Sequence, residues 1–241
     1  MTGHGFELRL LGGFRLDQNL HGVELPLSSQ RLLGYLALQD RPLCRAFVAA
    51  TLWPETTDEK AAANLRTALW RLRRPDDGPL IVANGSQLSL SGDVWCDVRA
   101  IRAAARRLRD HGGLPAGDLL IDARGELLPG CWDSWVVFER ERLREELAHL
   151  CESACARDLT GRDWHRGLLH ALAAVECDPL RESANVWVLR AHLAAGNRSA
   201  AIRHARDYAT LLHDELGIEP PAAADDLVWS RPLTPLAVRS A

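Results

Sequence analysis

The stretch Ala63-Asn64-Leu65-Arg66-Thr67-Ala68-Leu69-Trp70-Arg71-Leu72-Arg73-Arg74 decides how the chain is read. On a helical wheel at about 100° per residue, Ala61, Leu65, Ala68, Leu69 and Leu72 fall on one apolar face. Ala63, Thr67, Trp70 and Arg74 fall opposite, flanked by Lys60, Asn64 and Arg71 on one side and by Arg66 and Arg73 on the other. From Lys60 to Arg74 five residues are basic and none is acidic. An outer face of this kind suits the major groove of DNA. Arginine matches the guanine edge with two hydrogen bonds, asparagine matches adenine, and the remaining cations neutralise phosphates. A solvated surface helix would look similar, so its neighbours must decide. Trp70 admits two readings, a DNA contact or a contact with another part of the chain.

Working outward, Thr56 stands three residues before Glu59, a capping-box spacing that starts this helix and lets it run to about Arg74. A preceding helix carries Phe47, Val48, Thr51 and Leu52 and stops at Trp53-Pro54. The one before it begins near Ser28 with a serine cap, carries Leu32, Leu33, Leu36 and Ala37, and closes at Arg41-Pro42. Further back, Phe6, Leu8, Leu10, Phe14 and Leu16 alternate around Gly12-Gly13, which predicts two short antiparallel strands. Val23-Glu24-Leu25 reads as a third strand, ended by Pro26. After the basic helix, Leu80–Ala83 and Leu88-Ser89-Leu90 flank Asn84-Gly85, a strong hairpin signal. Strands, three helices and a hairpin give an α+β winged helix-turn-helix domain over residues 1–96.

From Asp97 onward the pattern is helical. Arg99–Arg109 is an alanine- and arginine-rich helix, and a long charged helix covers about Ser134–Arg157. Ala156, Leu159 and Gly161 recur 35 positions later as Ala191, Ala194 and Gly196, near the tetratricopeptide period of about 34 residues. Residues 97–226 therefore read as an all-α tetratricopeptide-like domain, with each glycine in the turn of a helix pair. Residues 227–241, with Pro232 and Pro235, read as a mobile tail.

Composition narrows the function classes. The net charge of −3 over 241 residues excludes general nucleic-acid coating and leaves the local basic stripe as a dedicated anionic surface. The six cysteines include no CxxC pair. Cys151 and Cys155 share a helix face, yet nothing lies at finger-like spacing to complete a metal site. No GxSxG, P-loop or HExxH pattern is present, so no enzyme and no cofactor is expected. With no signal sequence and no membrane-length apolar run, the expected location is cytoplasmic and nucleoid-associated, with no membrane partner.

The runs Leu25–Leu38, Leu52-Trp53-Pro54 and Ala63–Arg74 resemble the Streptomyces antibiotic regulatory protein family, in which an OmpR/PhoB-type winged helix precedes a bacterial transcriptional activation domain. Leu128-Pro129-Gly130, Trp135, Asp178–Ser183, Ala195–Arg198 and Glu215–Pro220 extend the similarity to about residues 6–222. The resemblance implies an activator of a biosynthetic gene cluster that binds direct repeats in double-stranded promoter DNA. Its partners would be RNA polymerase holoenzyme and a homodimer mate or tandem protomer. It implies DNA contacts from Arg71, Arg73 and Arg74 at the recognition-helix end, and phosphate contacts from Ser28, Ser29 and Arg31 at a helix N-terminus. It also implies wing contacts from Asn84, Ser86 and Gln87. The wing departs from the family in being nearly uncharged. The rival reading is a protein-interaction scaffold whose winged helix has lost DNA binding.

Overall fold

Asp97 and the two arginines that follow it organise the first half of the molecule. A computed structural model describes residues 5–73, 78–113, 119–123 and 125–219. Packing divides it into two units, Met1–Pro115 with Ala123–Glu146 and Ala116–Asp122 with Leu147–Ala241.

In the first unit, β1 (Phe6–Arg9) pairs antiparallel with β2 (Arg15–Gln18), which pairs with β3 (His21–Gly22). Phe6, Leu8, Leu10 and Leu16 are buried, as the alternation requires. The third strand lies at His21–Gly22 rather than at Val23-Glu24-Leu25, because the chain reverses through Asn19 and Leu20, both at positive φ. Next come α1 (Leu27–Ala37), β4 (Leu43–Cys44), α2 (Arg45–Leu52) and α3 (Asp58–Arg71). The hairpin β5 (Ile81–Asn84) and β6 (Gln87–Leu90) forms a second sheet in the order β4-β6-β5, and β7 (Val94–Cys96) joins the first sheet parallel to β1.

Several boundaries differ from expectation. α1 starts at Leu27 after Pro26, with no side-chain cap from a serine. Thr57 rather than Thr56 caps α3, accepting from the Lys60 N–H, while the Thr56 hydroxyl donates to the Trp53 carbonyl. α3 ends at Arg71, so Arg73 lies beyond the helix and Arg74 lies outside the described residues. The hairpin turn is Gly85-Ser86, since Asn84 is still paired with Gln87. Gly85 has φ 57°, as the first central position of a two-residue hairpin turn requires.

The structural division also does not fall at residue 97. The Asp97 carboxylate accepts from the backbone N–H groups of Leu10 and Leu11 at 2.9 and 3.0 Å, fixing the start of α4 (Asp97–His111) to the end of β1. One turn later, Arg99 donates to the carbonyls of Leu36, Ala37 and Gln39, and Arg102 to that of Leu38 at 2.6 Å. These are the carbonyls a helix C-terminus leaves without intrahelical partners. The Arg102 guanidinium, 3% exposed, also donates to Glu139 and lies 3.7 Å from Glu146, both on α6 (Ser134–Thr160). α4 and the first half of α6 thus belong to the unit that holds α1 to α3. A fragment ending at residue 97 would lose both arginines.

The strand end is closed from a second side. Leu128 donates to the Leu10 carbonyl and Gly12 to the Glu126 carbonyl, both at 2.9 Å. A Cβ on Gly125 would stand 2.9 Å from the Gly12 Cα, so two backbones touch where only glycines fit.

The second unit contains α5 (Leu119–Asp122), the latter part of α6, α7 (Trp164–Cys177), α8 (Glu182–Ala194) and α9 (Arg198–Leu216). α5 was not foreseen. One device occurs twice. After α6, Asp163 N–H bonds the Asp158 carbonyl and Arg162 N–H that of Leu159. After α8, Asn197 N–H bonds the His192 carbonyl and Gly196 N–H that of Leu193. Each is a left-handed C-terminal cap, followed by an Asp163 or Asn197 side chain that caps the next helix. The cores repeat with it. Cys155, Leu159, Leu168 and Ala171 in one cluster become Leu189, Leu193, Ile202 and Ala205 in the other. Every one of these shifts is 34 positions, not 35. The residue matching Gly196 (φ 74°) is therefore Arg162 (φ 62°), not Gly161. Among the described residues no helix is long and apolar enough to cross a membrane. The expected tail at 227–241 lies outside the described residues.

Two outcomes follow from this packing. Arg102→Ala leaves two carboxylates and a carbonyl facing a void, and should cost about 3–5 kcal/mol in denaturant unfolding of the full chain; a loss under about 1 kcal/mol would contradict the clamp. The second outcome concerns pH. Burial lowers the pKa of His170 although its Nδ1–H donates to Asp158 at 2.8 Å, and burial also lowers those of His192 and His204. The folded chain therefore protonates these rings at lower pH than the unfolded chain, which protonates them near 6.5. Stability is therefore full above about pH 6.5 and falls as pH drops below it, by up to about 1.4 kcal/mol per pH unit from His170. Urea midpoints at pH 7.5 and 5.5 should decrease in that order; an unchanged or rising midpoint would contradict the assignment.

Candidate nucleic-acid interface

α3 is built to keep one face inward and leave the other unused. Ala61, Leu65 and Ala68 are buried, as is Leu72 just past the helix end, and Ser29 of α1 donates its hydroxyl to the Ala68 carbonyl at 3.3 Å. Asp58 and Glu59 sit in the first turn and Arg71 in the last, which suits the helix dipole. Lys60, Arg66, Thr67, Trp70 and Arg71 are exposed on the outer side, with Asn64 half-buried and Arg73 exposed just beyond the helix. Trp70 is 70% exposed, which favours the outward of its two readings.

Among the described residues, no carboxylate pairs with Lys60, Arg66, Arg71 or Arg73. Several other arginines are committed to the fold. Arg31, Arg102, Arg140 and Arg181 each hold a carboxylate and, with Ser183 helping in the last case, knit loops to helices. Four uncompensated cations on one stripe are electrostatically open to an anion.

The β5–β6 hairpin stands beside this stripe. A cleft of about 700 Å³ between them is lined by Arg45, Arg66, Trp70, Arg73, Pro79 and Ile81, among others. Arg45 was missed in the sequence because it begins α2, far from the basic run. Its N–H donates to the Ser86 carbonyl at 2.8 Å and its Nε–H to that of Gly85 at 3.4 Å, so it ties the hairpin turn to α2. It brings to the hairpin the cation that the hairpin's own residues lack. Asn84, Ser86 and Gln87 are exposed at the tip.

The residues at the start of α1 fare differently. Ser28 is half-buried, and Ser29 is buried with its hydroxyl spent on Ala68, so it does not reach the surface. Arg31 forms a two-armed pair with Asp133, at 2.9 and 2.7 Å, and also donates to the Leu52 carbonyl. Thr67 donates its hydroxyl to the Ala63 carbonyl at 3.0 Å, which leaves its lone pairs for any outer partner. The cysteine pair has a clear chemistry of its own. Burial pushes the Cys155 thiol up to about 12 and raises Cys151 as well, so both remain thiols at neutral pH.

The profile of the bacterial transcriptional activator domain matches residues 91–228. Regulatory protein AfsR of Streptomyces coelicolor is 27% identical over 212 residues, which is 84% of this chain and 21% of AfsR. The chain thus spans about a fifth of that relative's length. The solved structure of Mycobacterium tuberculosis EmbR, in complex with a low-affinity phosphopeptide, superposes with a TM-score of 0.62 at 21% identity. That likeness covers 95% of this chain and 66% of the other, and concerns the fold, a small-sheet region followed by a helical one. By a match over more than half its length, the chain belongs to the bacterial transcriptional activator domain family, among the Streptomyces antibiotic regulatory proteins.

Proposed function

We propose that this protein is a sequence-specific regulator of transcription that lays α3 into the major groove of double-stranded promoter DNA. The unpaired cations of α3 beside a hairpin are the observation that carries this reading. In it, residues 1–96 act as a winged helix-turn-helix. Asn64, Thr67 and Arg71 face base edges, Lys60, Arg66, Arg73 and Arg74 meet phosphates, and Trp70 packs on the sugar-phosphate wall. Asn84 and Ser86 follow the minor groove, with Arg45 supplying the charge. Ser28 and the N–H groups at the start of α1 take a further phosphate.

Within residues 97–226, the helices from the latter part of α6 to α9, with their 34-residue period, act as a tetratricopeptide-like surface for RNA polymerase holoenzyme or for a second protomer on a direct repeat. The regulated genes would be a biosynthetic cluster and the sign activation, in the cytoplasm at the nucleoid. These finer statements rest on the family and not on geometry.

The test is binding to a specific and a scrambled duplex across a salt series. Arg71→Ala should cost about 1–3 kcal/mol on the specific site and relax preference at one base pair. Arg66→Ala, Arg73→Ala and Arg45→Ala should weaken both duplexes alike and lower the slope of log K against log salt by roughly one unit each. Asn64→Ala should change specificity without changing that slope. If all five variants bind both duplexes as the parent does, α3 does not face DNA and the scaffold reading replaces this one.

A further inference from the structure

A second groove, about 580 Å³, lies in the first unit and shares no lining residue with the basic cleft. Its size falls within the roughly 300–1,000 Å³ of small-molecule sites. Most of its wall is apolar, from Phe14, Leu27, Pro129, Trp132 and Trp135. Leu27 is 71% exposed and Trp132 80%, so an apolar occupant gains by covering them. The wall is also held in place. Trp135 meets Tyr35 edge-on, with centroids 5.2 Å apart. The Arg140 guanidinium lies 5.7 Å from the Trp132 ring centre and is itself fixed by the carbonyls of Leu127, Leu128 and Cys131. That leaves one side of the Trp132 ring for a flat group to stack on.

The charged part of the lining is a matched pair. Arg31 donates to the Asp133 carboxylate from Nε at 2.9 Å and from Nη2 at 2.7 Å, and its Nη2 also donates to the Leu52 carbonyl. The two side chains are only 25% and 27% exposed. An anion in the groove would meet Asp133 and a cation would meet Arg31, so either would lose water for no net attraction. A neutral occupant avoids that cost. Among the described residues no hydrogen bond takes the Nη1 hydrogens of Arg31, whereas the Asp133 carboxylate already accepts both arginine arms and the Cys131 thiol. The pair therefore has donors to offer and little acceptor capacity left.

We propose that this groove is a binding site for an uncharged small molecule with a flat apolar body and one carbonyl oxygen. The body lies against Trp132 and Leu27, and the oxygen accepts from Arg31. The inference is independent of DNA binding.

The test uses four probes that share one ring system: 2-acetylnaphthalene, 2-isopropenylnaphthalene, naphthalene-2-carboxylate and 2-naphthylmethylammonium. Binding to the full chain is followed at neutral pH by NMR, through the Trp132 indole N–H signal assigned with Trp132→Phe and through saturation transfer to the probe. The ketone should shift that signal saturably. The isopropenyl probe, which lacks only the acceptor, should bind about tenfold more weakly, and both charged probes at least about tenfold more weakly. Trp132→Ala should abolish saturable binding of the ketone, since that ring is exposed and its loss leaves the fold intact. Phe47→Ala, exposed on α2 and outside the groove, should change nothing. The proposal is overturned if the ketone does not shift the signal, if the four probes bind alike, if a charged probe binds best, or if Trp132→Ala leaves the affinity unchanged.

Discussion

One buried guanidinium carries more of this structure than any other group. Arg102 answers a carbonyl at the end of α1, takes up Glu139 and lies beside Glu146 on α6, all with almost no exposure. Arg99 answers the neighbouring carbonyls. α1 in turn packs against α3 and fixes its inner face through Ser29. The orientation of the basic helix therefore depends on a residue of α4, a segment that the activator-domain family match includes. Removing Arg102 from this network costs more than breaking a surface pair would, because the Leu38 carbonyl and Glu139 lose their partner in a mostly buried setting.

Arginine serves this chain in two opposed ways. Where it is buried, as in Arg102, carboxylates and carbonyls take up most of its donors, and it acts as a structural tie. On α3 and just beyond it, no carboxylate among the described residues answers it. Exposed charges without partners contribute little to folding, so retaining a run of them on one face points to work done with an outside anion. The hairpin beside them is poor in charge, and the tie from Arg45 to Gly85 and Ser86 both holds the turn and places a cation next to it.

The periodic features were legible from residues alone. The alternation of Phe6, Leu8 and Leu10 gave the first strand, and the spacing of Ala61, Leu65, Ala68 and Leu72 gave the buried side of α3. What could not be read were facts created by distant partners. Ser29 and Arg31 look like helix-start anion ligands until Ala68 and Asp133 arrive from elsewhere in the chain. β7 is a three-residue strand whose parallel pairing to β1 leaves no local mark. The repeat was visible but misregistered by one residue, because Gly161 draws the eye while Arg162 holds the left-handed position that Gly196 holds 34 residues later. Arg45 escaped because only the fold brings it to Arg66 and Arg73.

The account stands on α3 touching DNA, and site-specific photo-cross-linking reads that contact directly. A benzophenone amino acid placed at Thr67, on the outer face of α3, or at Thr210, exposed-side control on α9, would be irradiated in the full chain bound to a labelled genomic fragment. The account predicts a cross-link to DNA from position 67 and none from position 210. A cross-link from 210 with none from 67 would contradict it.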